Sequence, residues 1–361
     1  MNHKIFIILC FNIFILYSCK DSAQPQPADC DLGYHPCDYD ETICCPDTTS
    51  HNFSWEIDTL GIYGSVINDV AIVDENNVWV VGDIETENGE YNAAHWNGSD
   101  WELLGIYSNT LDLYNIKYFS ENDIWVTSSG FPIHWDGISW TLHHLQNMGI
   151  HVSVGYGIWG TSSSEIYFIG LNGAIVHYNG SSFTQLESST DVKLIDIDGT
   201  DDGGHVFIAG RDDIGTSVAL MIHNNQVSTL YEGEGALSEP YGVILNVSID
   251  NNTAYFSTSK LLWKYNFRTE NSVTVPGDEI FFENRTTKKI VVHNQSDVFI
   301  MTNWAELIHY NGNNWNLDPF VLDVYGPFNV YTRSLAFKDE MVIITGYCCG
   351  GGHAIVARGY R

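Results

Sequence analysis

The segment Asn76-Asn77-Val78-Trp79-Val80-Val81-Gly82 is not unique in this chain. It returns as Glu121-Asn122-Asp123-Ile124-Trp125-Val126-Thr127 and as Ser164-Glu165-Ile166-Tyr167-Phe168-Ile169-Gly170. Further copies surround Phe207, Tyr255 and Phe299, with a fainter one at Ile343. The first six, aromatic anchors lie 40 to 48 residues apart. A second signature follows several of them. His95-Trp96-Asn97-Gly98 leads to Trp101, and His134-Trp135-Asp136-Gly137 leads to Trp140. His177-Tyr178-Asn179-Gly180 leads to Phe183, and His309-Tyr310-Asn311-Gly312 to Trp315. Ile222-His223-Asn224-Asn225 and Lys264-Tyr265-Asn266 are weaker copies.

Each unit reads as four short strands. The first is apolar and alternating, as in Val70–Val73, and a turn rich in Asp, Asn and Ser leads to the anchor strand. The third ends in an Asn-Gly or Asp-Gly turn, where positive φ suits both residues. The fourth begins at the next aromatic ring. Units of this length with four strands each predict an all-β, seven-bladed β-propeller over residues 53–361. The ends predict how the ring closes. The last unit has strands at Thr332–Lys338, Met341–Gly346 and His353–Arg358 but no fourth, while Ser54-Trp55-Glu56-Ile57 resembles the fourth strand at Asp100-Trp101-Glu102-Leu103. Trp55–Leu60 is expected to complete the last blade and remove a sheet edge.

These motifs resemble secreted seven-bladed β-propellers of Gram-negative bacteria, whose blades carry an N-D-x-W-x-x-G strand and an H-[WY]-[ND]-G-x-x-W hairpin. The resemblance spans about residues 53–361 and implies the fold. Chains of this type are sometimes labelled glucosyltransferases, so it also implies a carbohydrate-active alternative. Propellers host many activities, and function has to be argued from a site.

The chain has 361 residues, 44% hydrophobic, with 15 Lys+Arg against 45 Asp+Glu and a formal charge of −30. So acidic a chain is not expected to bind nucleic acid, which needs clustered basic residues, nor anionic lipid through a basic patch. Residues 1–18 read as a signal: Lys4, an apolar run Ile5–Tyr17 too short to span a bilayer, then Leu16-Tyr17-Ser18-Cys19. This resembles a bacterial lipoprotein signal with Cys19 as the lipidated residue, although Tyr17 departs from the usual residue there. An ordinary secretory signal is the other reading. Both predict export, and the first predicts an outer-membrane or cell-surface lipoprotein. Residues 19–52 are then a cysteine-rich tether. Export permits disulfides, with Cys30, Cys37, Cys44, Cys45, Cys348 and Cys349 as candidates. Cys348-Cys349 is open to a vicinal disulfide, two thiols or staples to the tether; the last is disfavoured because the loop should lie on the face opposite the start of Trp55's strand.

The chemistry-bearing residues divide into framework and candidates. His95, His134, His177 and His309 occupy equivalent places in different blades, so they are dispersed around the ring and expected to bond or stack within their hairpins. Trp79, Trp125, Trp101, Trp140 and Trp315 are expected to pack. Asp196-Ile197-Asp198 matches the Asp-x-Asp of nucleotide-sugar transferases but lacks a glycine-rich phosphate loop. Asp196–Gly204 suggests a calcium loop, yet Asp201 stands where that spacing needs glycine and no Glu closes it. No cofactor is expected, with a structural divalent cation such as calcium as the exception. Ten residues before each anchor stand Asp69, Asn115, Gly157, Leu245, Lys289 and Arg333, with Asp196 matching after one insertion. This register predicts a ring at the channel mouth. Tyr114, Tyr156, Tyr241 and Trp304 are expected nearby, giving a polar-aromatic site for a glycan or an envelope or surface protein. A monomeric binding or scaffolding module is the function expected; the alternative is a glycosyl-transferring or glycosidase-like enzyme using the channel.

Overall fold

The computed structural model describes residues 29–361 except 31–32, 38–39, 47, 236–237, 281–284, 304, 319–329 and 351, with the side chains of 35–37, 40–43, 45 and 46 also outside the description. The chain divides into two units, Met1–Cys45 and Pro46–Arg361. In the first, strand Tyr34–Cys37 pairs with strand Asp40–Pro46, and Cys30 is disulfide-bonded to Cys44 with Cα atoms 5.6 Å apart. Cys19 and the side chains of Cys37 and Cys45 lie outside the described residues.

The second unit is a seven-bladed β-propeller of four-stranded antiparallel sheets. Blade 1 contains strands Val66–Asp74, Asn77–Thr86, Gly89–Trp96 and Trp101–Leu104. The innermost strands of blades 2 to 7 are Asn115–Ser120, Val154–Ser162, Leu194–Gly199, Ile244–Asp250, Thr287–Asn294 and Val330–Lys338. Blade 7 is completed by Ser54–Leu60, which pairs with His353–Tyr360 from Ser54↔Tyr360 to Leu60↔Ala354. Both flanking blades clamp this strand: Trp55 Nε1 donates to Asp318 at 3.1 Å, and Trp101 Nε1 donates to Asp58 at 2.9 Å. Arg358 also bonds Asp58 and lies 3.9 Å over the Trp96 ring.

Core packing follows from alternation, because successive strand residues face opposite sides and both faces of a blade are covered. Trp125 packs toward blade 3 with Phe168 and Val176, while its neighbours Ile124 and Val126 pack toward blade 1 with Val81 and Ala93. The hairpin histidines are framework. Each lies opposite its anchor and stacks on it: His95 on Trp79 at 4.5 Å, His134 on Trp125 at 4.1 Å, His177 on Tyr167 at 4.6 Å and His309 on Phe299 at 4.5 Å. Each Nε2 lies within 2.7 to 3.1 Å of the residue two before the anchor, Asn77, Asp123, Glu165 or Asp297.

One sequence expectation needs correcting. Most innermost strands carry a bulge near their start, at Asn68, Ile195, Leu245, Lys288 and Arg333 in blades 1, 4, 5, 6 and 7. The ladder-paired ring is therefore Asp69, Asn115, Gly157, Asp196, Asn246, Lys289 and Ser334. Leu245 and Arg333 belong to the bulge ring instead. The shift has a local cause. Blades 1, 2, 3 and 6 carry a bulge before the turn to the anchor strand, at Val73, Phe119, Thr161 and His293. Blades 5 and 7 omit it, so counting back from the anchor lands one residue early.

Candidate functional site: the channel mouth

The innermost strands of a blade have no partner on their channel side, so their backbone groups need other acceptors and donors. The channel carboxylates supply them. Asp69 accepts from Ile116 N–H at 3.0 Å and from Ser334 at 2.7 Å. Asp196 accepts from Val247 N–H at 3.0 Å, and Asp198 from Ile249 N–H at 2.8 Å. Ser248 Oγ accepts from Val292 N–H at 3.1 Å, and Asn115 donates to the Gly155 carbonyl at 3.2 Å. Lys289 bonds Asp196 directly.

Electrostatics follow from this geometry. Burial pushes the carboxyls of Asp69 and Asp198 up. Burial opposes the charge of Lys289, but Asp196, with Asp69 and Asp198 beyond it, holds that lysine above its ordinary range. The two acids of Asp196-Ile197-Asp198 both reach the channel, as alternation predicts, with Ile197 buried between them. Each is committed to a neighbouring strand, which leaves neither as an open ligand for a diphosphate-bound cation. In the adjoining loop, Asp202 accepts from Thr200 at 2.6 Å and Gly204 N–H at 2.9 Å. Among the described residues no group of three His, Cys, Asp or Glu is placed to hold a metal.

Two open cavities lie where the innermost strands begin. One, about 150 Å³, is lined by Asp69, Tyr114, Asn115, Asp196, Lys289 and Arg333 among others. A larger one, about 500 Å³, lies over blades 4 to 6 and includes Lys193, Arg211, Leu245 and Lys288. They share Ile195, Asn246 and Lys288, so they form one depression. The bulges explain its lining, because an extra residue re-aims its side chain out of the ladder. Tyr114, Tyr156 and Tyr331 are exposed by 39, 45 and 53% around this mouth.

The predicted residues thus divide. Asp69, Tyr114, Asn115, Asp196, Lys289 and Arg333 meet, and Tyr156 joins them through the Lys193 ammonium, 5.0 Å over its ring. Tyr241 does not; it stacks on Trp263 of blade 5 at 4.2 Å. Trp304 lies outside the described residues. Cys348 and Cys349 form a vicinal disulfide in the loop after Tyr347. Sequence reasoning missed Lys193, Arg211 and Lys288. The signal was available, since Lys288-Lys289 is a doublet at a predicted strand start and Lys193 stands just before the innermost strand of blade 4.

At the other end of the channel the charge is acidic. Burial, with Asp201 adding repulsion, pushes Asp250 up to about 6. A carboxyl raised in the folded state favours folding when protonated, so its ionisation removes stability as pH rises from the usual carboxylate range through about 6. Asp250→Asn is expected to raise Tm by about 2–5 °C at pH 7.5 and to change it little at pH 4; thermal unfolding at both pH values checks this.

No family model matches the chain, and no curated protein matches it. Solved structures do. The chain is similar to YCF48 bound to D1 peptide, with a TM-score of 0.64 at 16% identity, covering 87% of this chain and 99% of that one. It is similar to a catalytically inactive virginiamycin B lyase from Staphylococcus aureus with quinupristin, with a TM-score of 0.63 at 11% identity and coverages of 85% and 100%. YCF48 from Cyanidioschyzon merolae gives 0.61 at 11% identity, with coverages of 85% and 98%. A peptide-bound protein and a lyase share this architecture, so these likenesses establish a seven-bladed β-propeller and leave its chemistry to the site.

Proposed function

We propose that this protein is a binding module that holds a protein or peptide segment across the channel mouth. The observation that carries the reading is the contrast between channel and rim. The channel carboxylates are engaged in joining blades, while the rim is an open depression with exposed tyrosines beside it. A glycosidase or transferase would need carboxylates free to exchange protons or hold a metal, whereas open aromatic-polar rims suit recognition. The peptide-bound state of YCF48, on the same fold, is in keeping with this reading.

We also propose that the chain is exported and anchored through Cys19. The apolar run before Cys19 supports it, as does the Cys30–Cys44 disulfide, a bond at home in oxidising compartments. The ligand would then be an envelope or surface protein, with a glycan as the competing class.

The test is to present the purified full chain in parallel to a displayed peptide library and a glycan array, with product analysis of every glycan retained. Selected peptides are expected to lose at least tenfold in affinity to Tyr156→Ala and Tyr331→Ala variants, with Tm unchanged. Retention of glycans alone, or turnover of any glycan, overturns the reading.

A further inference from the structure

We infer that the segment held at the mouth is acidic, its Asp or Glu side chains met by Lys193, Arg211, Lys288 and Arg333. This rests on the reading above and gives its ligand a chemistry. The chain is poor in cations, with 15 among 361 residues, yet four converge on one arc of one face. Lys193, Arg211 and Lys288 line the larger cavity, and Lys288 and Arg333 line the smaller one that joins it.

These four differ in what they touch from five other basic residues that carry ion pairs. Lys289, Arg358 and Arg361 are each bonded to a carboxylate, and at the rim Arg285 pairs with Glu306 and Lys260 with Glu239. Among the described residues, no carboxylate lies within ion-pair distance of Lys193, Arg211, Lys288 or Arg333. Two are instead held by rings. The Lys193 ammonium lies 5.0 Å over Tyr156. The Arg333 guanidinium lies 5.5 Å over Tyr347, which stacks on Tyr331 at 5.0 Å. A ring orients a cation without neutralising it, so the charge remains available to a carboxylate. Lys288 has like charges around it: burial and the nearby Arg211 and Arg333 push its ammonium down. An arriving carboxylate relieves that repulsion. Nor do these cations serve the channel acids, because Asp196 is bonded by Lys289 and Lys117 lies within electrostatic reach of Asp198 and Asp69.

Why a polypeptide and not a uniform polyanion follows from the rest of the same face. In blade 1, Asp83 is pushed up by burial and by its acidic neighbours Asp112, Glu85 and Glu90. Asp83 and Glu85 lie near the end of strand Asn77–Thr86, Glu90 near the start of Gly89–Trp96 and Asp112 just before strand Asn115–Ser120, all on the face where the innermost strands begin. The rim is therefore basic over blades 6 and 7, mixed over blade 4, where Asp212 and Asp213 line the larger cavity beside Lys193 and Arg211, and acidic over blade 1. A sulfated polysaccharide would meet repulsion there, whereas a peptide can carry acidic residues on one stretch and neutral or basic ones on the next. The net charge of −30 does not prevent this, since charges farther than about 8 Å are largely screened at physiological salt.

The experiment uses the full chain and three fluorescein-labelled peptides of equal length, alternating Glu-Gly, Gln-Gly and Lys-Gly, with heparin as a fourth probe. Anisotropy is expected to show the Glu-Gly peptide binding at least tenfold tighter than Gln-Gly, and weakening as salt rises. Lys288→Glu and Arg333→Glu are each expected to weaken it about tenfold, with Lys288→Gln and Arg333→Gln in between. Both positions are solvent-exposed, so an unchanged melting temperature verifies the fold. Lys338→Glu, at the other end of an innermost strand, is the control expected to leave binding unchanged. Equal binding of Glu-Gly and Gln-Gly, no binding of Glu-Gly, or indifference to both reversals overturns the acidic assignment; the peptide-binding reading would still stand if library peptides bind the rim. Heparin binding tighter than Glu-Gly, with the same loss in the variants, overturns it in favour of an anionic glycan.

Discussion

A chain that begins at Gly61 is expected to lose its folded ring. Its truncation removes the strand Ser54–Leu60, leaving His353–Tyr360 as an open edge. Leu60 is buried, and Trp55 and Ile57 pack against the core between blades 6 and 7. With Trp55 and Ile57 only partly buried, the three together are worth roughly 4–6 kcal/mol, toward the low end of three times the 1.5–3 kcal/mol of a fully buried side chain. Asp58 would also vanish from Trp101 and Arg358. Set against a typical total stability of about 5–15 kcal/mol, this loss is most of the margin. The exposed edge then offers a template for pairing with another chain. Aggregation or oligomers in size-exclusion chromatography, with no cooperative thermal transition, are the expected results. Moving residues 53–60 behind Arg361 through a short glycine-containing turn should restore the cooperative transition and the parent's elution volume, since Ser54 already pairs with Tyr360. A truncated chain that elutes like the parent with an unchanged Tm would show that closure contributes little.

What could be seen without coordinates was what repetition makes redundant. Trp79, Trp125, Tyr167 and Phe299 announce the same strand repeatedly, so the missing fourth strand of the last unit and the orphan Trp55 could be matched to each other. The histidines were legible for the same reason: a side chain that recurs opposite the anchor in four of seven blades serves the blade, not a single site. The mouth was legible only to within one residue. A bulge adds one position without leaving a compositional mark, and blades 5 and 7 lack one that four other blades contain. That single residue moves Leu245 and Arg333 from the ladder to the bulge ring, and it brings Lys288 beside Arg333 instead of Lys289.

Tyr241 illustrates a different limit. Its position in a loop before a first strand placed it at the mouth, but the loop folds outward and the ring finds Trp263. Nothing in local spacing distinguishes a tyrosine that lines a rim from one that covers a neighbouring indole. The basic arc was hidden for a third reason. Its members come from a strand start, a hairpin end and two bulges, so no one register contains them. Scarcity was the useful signal, and it applies to the whole face.

Lys289→Met is expected to destabilise the protein by about 3 kcal/mol at pH 7.5, the scale for removing one partner from a buried ion pair. The Lys289 side chain is 28% exposed and that of Asp196 8%, so the pair is largely shielded from water. Without the lysine, the carboxylates of Asp69, Asp196 and Asp198 face one another in the channel, with Lys117 as the nearby cation. The folded-state carboxyls of Asp69 and Asp198, already pushed up by burial, are then pushed further, so more stability is lost as pH climbs through the carboxylate range. As pH falls toward 4 the repulsion in the folded variant is relieved by proton uptake, and the difference from the parent should shrink toward the change in packing. Asp196→Asn in the same chain is expected to recover about half the loss at pH 7.5, because the amide oxygen still accepts from Val247 N–H while one charge is removed. Denaturant titrations of the two single variants and the double at both pH values measure the coupling directly. A loss that is the same at pH 4 and pH 7.5 would mean that Lys289 contributes shape to the channel and not charge, and the carboxylates would then have to be satisfied by the backbone amides alone.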